Sequence, residues 1–428
     1  MNLKIVGKKP LSGTITPSGS KNSVVALIPA TILFNKPITL TNVPDIVDVN
    51  ILVSILKKLE SSIDWNKDDQ TLTIDNSNLK YKKLTKELLG NIRAITLLWG
   101  PMLARFGKIY TESLPGGCTL GKRSSDPHFQ ALLDLGIEIK TNGNLELIKT
   151  NNIEATTLWL TEMSPTITED ILLLTAFTDK KVKIIGAASE PHTQDLCNFL
   201  VQAGKKIQGI GSSVLEISGT VNSNKSIKYN VISDHQEIGT YAALASITRG
   251  NVKIKKAIPE HFSLINYNFE RFGLEVSYQG NTMLVNNGHH GAIISTTNET
   301  QIIKAQPWPA LPVDILPLFI PLAISRGKGN YLFHNWMYER GLFWTYELLM
   351  LGADITLCDP HRVLVRGGTP LKGGIMDAPY IIRGVVALIM AALDAEGESI
   401  ITNADAVLRG HPNLIENLKS LGADIEII

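Results

Sequence analysis

The chain of 428 residues carries 41 Lys and Arg against 40 Asp and Glu, which gives a formal net charge of +1. Neither this charge nor an aromatic content of 6% favours binding to nucleic acid or to a membrane surface. A hydrophobic content of 44% predicts well-packed cores, and the length predicts two domains.

Three cysteines, Cys118, Cys197 and Cys358, stand far apart in the chain. They predict neither a disulfide framework nor a metal cluster, and they suit a reducing cytoplasm. The first residues, 1–7, are typical of a strand and not of a signal peptide. The apolar run at 315–324 is too short to cross a membrane and holds two prolines, so it predicts a buried helix.

A short motif recurs along the chain at intervals of roughly 70 residues. In each instance a helical segment ends on a sequence similar to Leu-Gly-Ala-Asp-Ile, which begins a strand. The instances stand at 59–63, 135–139, 203–207, 272–276, 351–355 and 421–425. A glycine in this motif suits the position just after a helix, where left-handed backbone is common. The fixed period indicates a repeated supersecondary unit.

Each unit also has an earlier and more apolar helix, and such helices are expected to be buried. Examples stand at 24–33, 94–99, 241–247 and 385–393. Short β-rich runs separate the helices, and the Asn-Gly pair within 138–147 predicts a hairpin. The pattern predicts an α/β protein of six β-α-β-α-β-β units, packed as two groups of three, and disfavours an all-helical solenoid.

The most distinctive stretch runs from Ser113 to His128 and places Cys118 in a loop with three flanking glycines. The glycines free the backbone to bend, and Lys122 and Arg123 supply charge that binds anions and lowers the pKa of a nearby thiol. A glycine-rich loop with one cysteine is usually only a loop. The spacing nevertheless fits a reactive thiol beside a phosphate site.

The run Leu-Pro-Gly-Gly-Cys-Thr-Leu-Gly-Lys-Arg at 114–123 resembles the catalytic loop of the UDP-N-acetylglucosamine 1-carboxyvinyltransferases, a family of enolpyruvyl transferases. Ser-Gly-Ser-Lys-Asn at 18–22 and Pro-Met-Leu-Ala-Arg-Phe-Gly at 101–107 are similar to two further motifs of that family. The resemblance covers nearly the whole chain. It has departures where the family has Lys, Arg, Arg and Asp, and this sequence has Glu162, Ser189, His235 and Ile381.

The resemblance implies two inside-out α/β domains, or inverse prisms, each made of three repeated units around buried helices. It places one domain at 22–232 and the other at 1–21 together with 233–428. The active site is then expected in the cleft between the domains. The segment that begins at Asp234 is expected to be a hinge and a helix start.

The resemblance further implies transfer of the enolpyruvyl group of phosphoenolpyruvate to the 3-hydroxyl of UDP-N-acetylglucosamine, with release of phosphate. This is the first committed step of peptidoglycan precursor synthesis, so the implied roles include cell-wall biogenesis, cell shape and cell division. The reaction is an addition followed by an elimination, without metal or other cofactor. A cytoplasmic enzyme, no obligate protein partner and inhibition by fosfomycin are expected.

Carried over position by position, the family's roles make Cys118 the general acid and Asp314 the carboxylate that orients or deprotonates the acceptor hydroxyl. Lys21 becomes a third catalytic residue that also holds phosphoenolpyruvate. The remaining positions implied to bind substrate are Asn22, Arg93, Arg123, Ser124, Ser125, Asp126, Pro127, Ser164, Met337, Arg340, Arg383 and Arg409.

Plainer interpretations exist for several of these residues. Lys21 could be a solvated lysine beside a helix cap, Asp314 could itself be an N-cap, and lone arginines such as Arg409 are usually solvated. Arg105 is expected to be structural, and Asp377 could approach the place of the carboxylate that is missing at 381. Arg340 matches only after a shift of one residue.

Two other functions stay open at this point. One is enolpyruvyl transfer to a different nucleotide or sugar acceptor, which the four departures would accommodate. The other is a noncatalytic protein that binds nucleotide sugars, although such a protein has no need of an acid cysteine.

Overall fold

The computed structural model describes residues 1–89, 93–112, 124–286 and 299–428. The α-helices in these ranges are α1 (Lys21–Ala30), α2 (Val47–Lys58), α3 (Lys86–Leu89), α4 (Trp99–Phe106), α5 (Asp126–Asp134), α6 (Pro165–Leu174), α7 (Pro191–Gln202), α8 (His235–Ile247), α9 (Ser263–Glu270), α10 (Leu316–Arg326), α11 (Ile382–Asp394) and α12 (Leu414–Ser420). Short 3₁₀-helices cover Thr31–Leu33, Arg93–Leu98, Pro259–His261, Phe343–Leu351 and Ala404–Arg409.

The strands in the described ranges are short, with three to five residues each. They are β1 (Leu3–Val6), β2 (Ser12–Ile15), β3 (Ile38–Thr41), β4 (Ser62–Asn66), β5 (Thr71–Asp75), β6 (Lys108–Thr111), β7 (Ile137–Thr141), β8 (Leu145–Lys149), β9 (Thr156–Trp159), β10 (Val182–Ile185), β11 (Lys206–Gln208), β12 (Val214–Ser218), β13 (Ile227–Asn230), β14 (Asn251–Ile254), β15 (Glu275–Gln279), β16 (Thr282–Asn286), β17 (Gln301–Lys304), β18 (Asn330–His334), β19 (Ile355–Asp359), β20 (Arg362–Arg366), β21 (Ile375–Asp377), β22 (Glu398–Thr402) and β23 (Asp424–Ile427).

The described chain divides into two compact units, each with its own hydrophobic core. The first, which we call the split unit, comprises Met1–Ser18 and Ser233–Ile428. The second, the continuous unit, comprises the described residues from Gly19 to Ile232.

One strand order recurs in the sheets of both units: an edge strand pairs in parallel with its neighbour, and two antiparallel strands follow. In the split unit the sheets are β2-β14-β16-β15, β17-β18-β20-β19 and β21-β22-β1-β23. In the continuous unit they are β13-β3-β5-β4, β9-β10-β12-β11 and β6-β8-β7. In the last of these a single parallel bridge from Leu84 to Thr111 stands in place of the edge strand. Six related sheets match the six repeats that the sequence predicts.

Buried helices lie inside each group of three sheets. In the split unit α8, α10 and α11 contact one another, and every residue of α8 is buried. In the continuous unit α6 contacts both α4 and the 3₁₀-helix Arg93–Leu98, which also contacts α1. A helix that is apolar on all sides gains most when it is enclosed, because each buried side chain then leaves water. The predicted buried helices are therefore confirmed, with the correction that residues 31–33 and 93–98 are 3₁₀ and not α.

The recurring motif also behaves as predicted, with two local differences. Strands β4, β7, β11, β15, β19 and β23 each begin within it, and the glycines at 136, 204, 273, 352 and 422 have positive φ angles. In the first of the six repeats Glu60 stands where the other repeats have glycine. It takes φ 70°, which costs a residue with a Cβ about 1 kcal/mol. In the fifth repeat the helix before the motif, Phe343–Leu351, is 3₁₀ and not α.

The predicted hairpin is present as β7 and β8, which are antiparallel and close over residues 142–144. Gly143 takes φ 75° in this three-residue turn, a left-handed conformation that glycine adopts without strain. The apolar run at 315–324 lies in and beside α10, where Leu316–Ile324 are all buried. Within the described ranges no helix is long and apolar enough to span a membrane.

Candidate active site

Lys21 begins α1 in the continuous unit, next to the N-cap Ser20, whose hydroxyl accepts the N–H of Ser23. The Lys21 ammonium lies 2.8 Å from Oδ2 of Asp48, a carboxylate in the first turn of α2 that is almost fully buried. The interpretation of Lys21 as a freely solvated lysine is therefore wrong. The ion pair holds a cation at the start of a helix, where the backbone N–H groups also favour an anion. Asn22 follows it and is half-buried.

The loop with Cys118 and Arg123 lies outside the described residues, as does the side chain of Arg93. The backbone of Arg93 begins the 3₁₀-helix Arg93–Leu98.

The starts of α5 and α6 are linked by side chains in the same unit. Nε2 of His128 lies 2.9 Å from the Thr166 hydroxyl, which lies 3.3 Å from the Ser164 hydroxyl. His128, in the first turn of α5, is buried against the ring of Trp99, and this contact anchors the start of the helix. The structure thus brings Ser164 close to the segment that contains four predicted binding positions, Ser124, Ser125, Asp126 and Pro127. In that segment the Ser124 hydroxyl accepts the Asp126 N–H at 3.0 Å.

A buried polar network in the split unit joins Asp314 to Arg383. Nε2 of Gln236 donates to Oδ2 of Asp314 at 3.2 Å, and Oε1 of Gln236 accepts from Nη2 of Arg383 at 2.8 Å. The other terminal nitrogen of Arg383 donates to the Thr240 hydroxyl at 3.3 Å and contacts Nε2 of His411. Arg383 is only 9% exposed, so it is not a solvated surface arginine.

Asp314 is not a helix cap. α10 begins two residues later, at Leu316, and its N-cap is Ile315, which makes no side-chain capping bond. The alternative interpretation of Asp314 as an N-cap is therefore wrong. Its half-buried carboxylate accepts a hydrogen bond from Gln236 at one oxygen and does not cap the backbone N–H groups of that helix.

Glu237 and His411 extend the network away from Arg383. Because a guanidinium only donates, Nε2 of His411 is the acceptor, and a neutral ring then carries its proton on Nδ1. Nδ1 lies 4.0 Å from Oε1 of Glu237, whose Oε2 accepts the Ser18 N–H at 2.8 Å. Burial, with the charge of Asp234, raises the pKa of the Glu237 carboxyl to about 7, against the lowering effect of the Ser18 hydrogen bonds and of Arg383.

Substituting Glu237 by glutamine is expected to remove a pH-dependent loss of stability. The folded protein keeps a proton on Glu237 between its ordinary pKa of 4.5 and about 7, a window in which the unfolded chain has lost that proton. The free energy of unfolding therefore falls across this window, by about 3 kcal/mol for this group. Urea unfolding of both proteins between pH 4.5 and pH 8 should show the variant gaining that difference as the pH rises.

The comparison between variant and parent cancels the titration of the other buried acids, which both proteins share. Glu270→Gln, at the exposed end of α9, is a matched control and should follow the parent at every pH. A constant difference between Glu237→Gln and the parent from pH 4.5 to pH 8 would contradict the raised pKa.

Three further predicted residues lie apart from this network in the described structure. The Arg409 guanidinium is stacked over the Tyr380 ring, 5.1 Å from its centre, at the end of the 3₁₀-helix Ala404–Arg409. Arg340 is exposed in the turn after β18, whereas Met337 packs against the core of the split unit.

The four departures from the family pattern occupy different environments. Glu162 is exposed, Ser189 is buried and His235 packs edge-on against the rings of His261 and Trp308. Ile381 is the N-cap of α11 and makes no side-chain capping bond.

Asp377 does not take the place of the missing carboxylate. Its Oδ1 accepts hydrogen bonds from Thr402 at 2.6 Å and from Asn403 at 2.7 Å, which lower the pKa of its carboxyl, and its N–H donates to Glu347. Its side chain is thus committed to β22 and the residue after it.

Arg105 is structural, as predicted. Its guanidinium donates to the carbonyls of Ile32, Phe34 and Asn76 and to the side chain of Asn35, at 2.6 to 3.0 Å. As to metals, the described part of the chain has no group of three His, Cys, Asp or Glu side chains that could hold an ion.

Four residues that hold predicted site residues were missed from the sequence: Asp48, Gln236, Thr240 and His411. Each contacts a predicted residue from a distant part of the chain, and no local pattern marks such pairs.

Comparison with known proteins agrees with this fold. The chain matches the family model of EPSP synthase (3-phosphoshikimate 1-carboxyvinyltransferase) over residues 5–418. The crystal structure of the enolpyruvyl transferase NikO from Streptomyces tendae covers 99% of this chain and 98% of that one, with a TM-score of 0.85 and 20% identity. EPSP synthase from Acinetobacter baumannii covers 99% of both chains, with a TM-score of 0.76 and 17% identity. These likenesses define the class of fold, that of the enolpyruvyl transferases.

Curated relatives give a closer match in sequence. The UDP-N-acetylglucosamine 1-carboxyvinyltransferase of Bradyrhizobium diazoefficiens is 37% identical over 99% of this chain and 97% of its own. That of Borreliella burgdorferi is 35% identical over 99% of this chain and 98% of its own. The chain belongs to the UDP-N-acetylglucosamine 1-carboxyvinyltransferase family, within the wider EPSP synthase family. The family resemblance and the fold class predicted from the sequence are confirmed.

Proposed function

We propose that the protein transfers the enolpyruvyl group of phosphoenolpyruvate to the 3-hydroxyl of UDP-N-acetylglucosamine and releases phosphate. The observation that carries this proposal is 37% identity, over nearly the full length of both chains, to a relative with that activity in its name. The buried network around Asp314 and Arg383 supports it, because the reaction needs a carboxylate and an anion-binding cation held in place.

The reaction proceeds by addition and elimination. Cys118 donates a proton to the methylene carbon of phosphoenolpyruvate, while Asp314 takes the proton of the attacking hydroxyl. A bond forms between that oxygen and the central carbon. The methyl group then gives back a proton, the carbon–oxygen bond to phosphate breaks, and the enol ether remains. Lys21, Arg123 and Arg383 hold the carboxylate and phosphate as negative charge moves to the leaving group.

The remaining binding positions follow the same assignment. Arg409 and Arg340 add cations for phosphoenolpyruvate, and Asn22 and Arg93 contact the acceptor. Met337 and Ser164 join the segment 124–127 around the uridine nucleotide.

We place the reaction in the cytoplasm, at the first committed step of peptidoglycan precursor synthesis. Loss of the activity would then affect the cell wall, cell shape and cell division. No metal or organic cofactor is assigned to the reaction, and no obligate protein partner.

The test is release of phosphate from phosphoenolpyruvate, measured with and without UDP-N-acetylglucosamine, together with the mass of the product. Acceptor-dependent phosphate and a product heavier by one enolpyruvyl group are expected. Phosphate release only with a different nucleotide or sugar would replace the proposed acceptor. Binding of the nucleotide sugar without any phosphate release would instead support a noncatalytic protein.

The variant Cys118→Ser is expected to lower kcat at least about 100-fold and to abolish covalent labelling by the epoxide fosfomycin. A serine hydroxyl is a far weaker acid than a thiol, and general-acid catalysis contributes roughly 10²–10⁴-fold. Phosphate release and intact-protein mass after exposure to fosfomycin measure the two effects.

Cys358→Ser is the matched control, since Cys358 is an exposed free thiol. It should turn over and be labelled like the parent. If Cys118→Ser kept the parent's rate and labelling, another group would have to be the acid.

A further inference from the structure

We propose that Gln236 is a positioning residue that ties the base Asp314 to the anion-binding Arg383, so that the two groups act as one unit. The proposal rests on the proposed function for the roles of Asp314 and Arg383. The link between them stands on geometry alone.

The orientation of the Gln236 amide follows from chemistry. A guanidinium can only donate hydrogen bonds and an ionised carboxylate can only accept them. The amide oxygen must therefore face Arg383, at 2.8 Å, and the amide nitrogen must face Asp314, at 3.2 Å. A flipped amide would lose both bonds, so Gln236 has one stable orientation.

The backbone of Gln236 is anchored in the first turn of α8. Its N–H donates to the N-cap Asp234 at 2.8 Å, and its carbonyl accepts from the Thr240 hydroxyl at 2.9 Å. The side chain is only 9% exposed. A side chain that leaves a fixed helical turn and is largely enclosed loses little further freedom when it makes two hydrogen bonds.

Two consequences follow for the groups that Gln236 joins. The carboxylate of Asp314 is held at Oδ2, which leaves Oδ1 for a substrate hydroxyl. Arg383 is held by Gln236 at one terminal nitrogen, and by Thr240 and His411 at the other, so its guanidinium plane is fixed. Because hydrogen bonds in series polarise one another, the cation strengthens the amide N–H bond to Asp314.

The titratable groups at the link come from four elements: Asp234 and Glu237 at the start of α8, Asp314 before α10, Arg383 in α11, and His411 after the 3₁₀-helix Ala404–Arg409. Ile381, at the cap of α11, has no polar side-chain atom to offer to Arg383. The amide of Gln236 provides a neutral partner for the guanidinium there.

Two substitutions separate the two bonds. Gln236→Met keeps the length but removes both bonds, whereas Gln236→Glu keeps the bond from Arg383 and cannot donate to Asp314 when ionised. We expect Gln236→Met to lower kcat at least about tenfold, because it removes two hydrogen bonds to charged groups, including the one that holds the base Asp314. In Gln236→Glu the acid limb of the kcat/KM profile should move to higher pH by about one unit, since a second carboxylate lies beside the base.

A merely structural role would lower the amount of folded protein without moving the pH profile. If both variants kept the parent's kcat, KM for phosphoenolpyruvate and acid limb, the proposal would be overturned. The exposed Gln208→Met, in β11, serves as a control for the substitution itself.

A double-mutant cycle on unfolding tests the link without any activity. Gln236→Met and Asp314→Ala, alone and together, are compared by urea unfolding. The unfolding constant of the double variant should differ by about fivefold from the value given by multiplying the two single effects, as expected for residues in contact. As a control, the effects of Gln236→Met and of the exposed Asp354→Ala on the unfolding constant should simply multiply. If the effects of Gln236→Met and Asp314→Ala also multiplied, the link would be refuted. Absence of phosphate release by the parent would overturn only the proposed function.

Discussion

Replacing Asp314 by asparagine is expected to lower kcat by about 10²–10⁴-fold while phosphoenolpyruvate still binds. Asparagine has the same shape, and its carbonyl oxygen can still accept the hydrogen bond from Gln236. What it loses is the ability to take the proton of the attacking hydroxyl. Phosphate release measures the rate, and binding of phosphoenolpyruvate by titration calorimetry checks that the site remains intact.

Asp354→Asn is the matched control, because this aspartate is exposed and paired only loosely with Arg366. It should leave the rate unchanged. Full activity of Asp314→Asn would exclude Asp314 as the base. A loss of phosphoenolpyruvate binding in parallel with the rate would assign it a binding role instead.

Replacing Lys205 by methionine is expected to lower the free energy of unfolding by about 3–5 kcal/mol, because each buried carbonyl left without a donor costs about 1–3 kcal/mol. Lys205 is 2% exposed, and its ammonium donates to the carbonyls of Thr178 at 3.0 Å, Gly219 at 2.6 Å and Thr175. Burial lowers the pKa of this ammonium to about 8, so it is still charged at pH 7. Without it, three carbonyls near the end of α6 and the turn after β12 lose their shared donor.

The measurement is urea unfolding at pH 7, followed by a probe that reports on the continuous unit. Lys206→Met gives the control, since the neighbouring Lys206 is exposed in β11. It should shift the unfolding midpoint little. If both variants unfolded alike, the three hydrogen bonds of Lys205 would contribute no more than ordinary surface contacts.

The repeated architecture could be predicted because its signals are local. A helix that ends on glycine and turns into a strand needs only neighbouring residues, so the motif located six strands, even where Glu60 replaces the glycine. The type of helix was harder. Phe343–Leu351 is 3₁₀ although its sequence is as apolar as an α-helical core segment, and such small differences in winding depend on packing with other elements.

The polar network could not be predicted in the same way. Gln236 and Arg383 are separated by most of the split unit in sequence, and only the packing of α8 against α11 brings them together. The same holds for Lys21 and Asp48, which start two different helices. The resemblance to the family named Lys21, Asp314 and Arg383, but it could not name the partners that hold them.

The order in which the strands are made differs between the two units. Strand β1 lies between β22 and β23, and β2 pairs with β14, so the first two strands leave the ribosome long before their partners exist. The continuous unit draws every strand of its sheets from one stretch of chain. It can therefore complete its core during synthesis, while β1 still lacks both strands with which it forms hydrogen bonds. An unpaired strand of this kind is exposed to wrong pairing until its partner strands have been made.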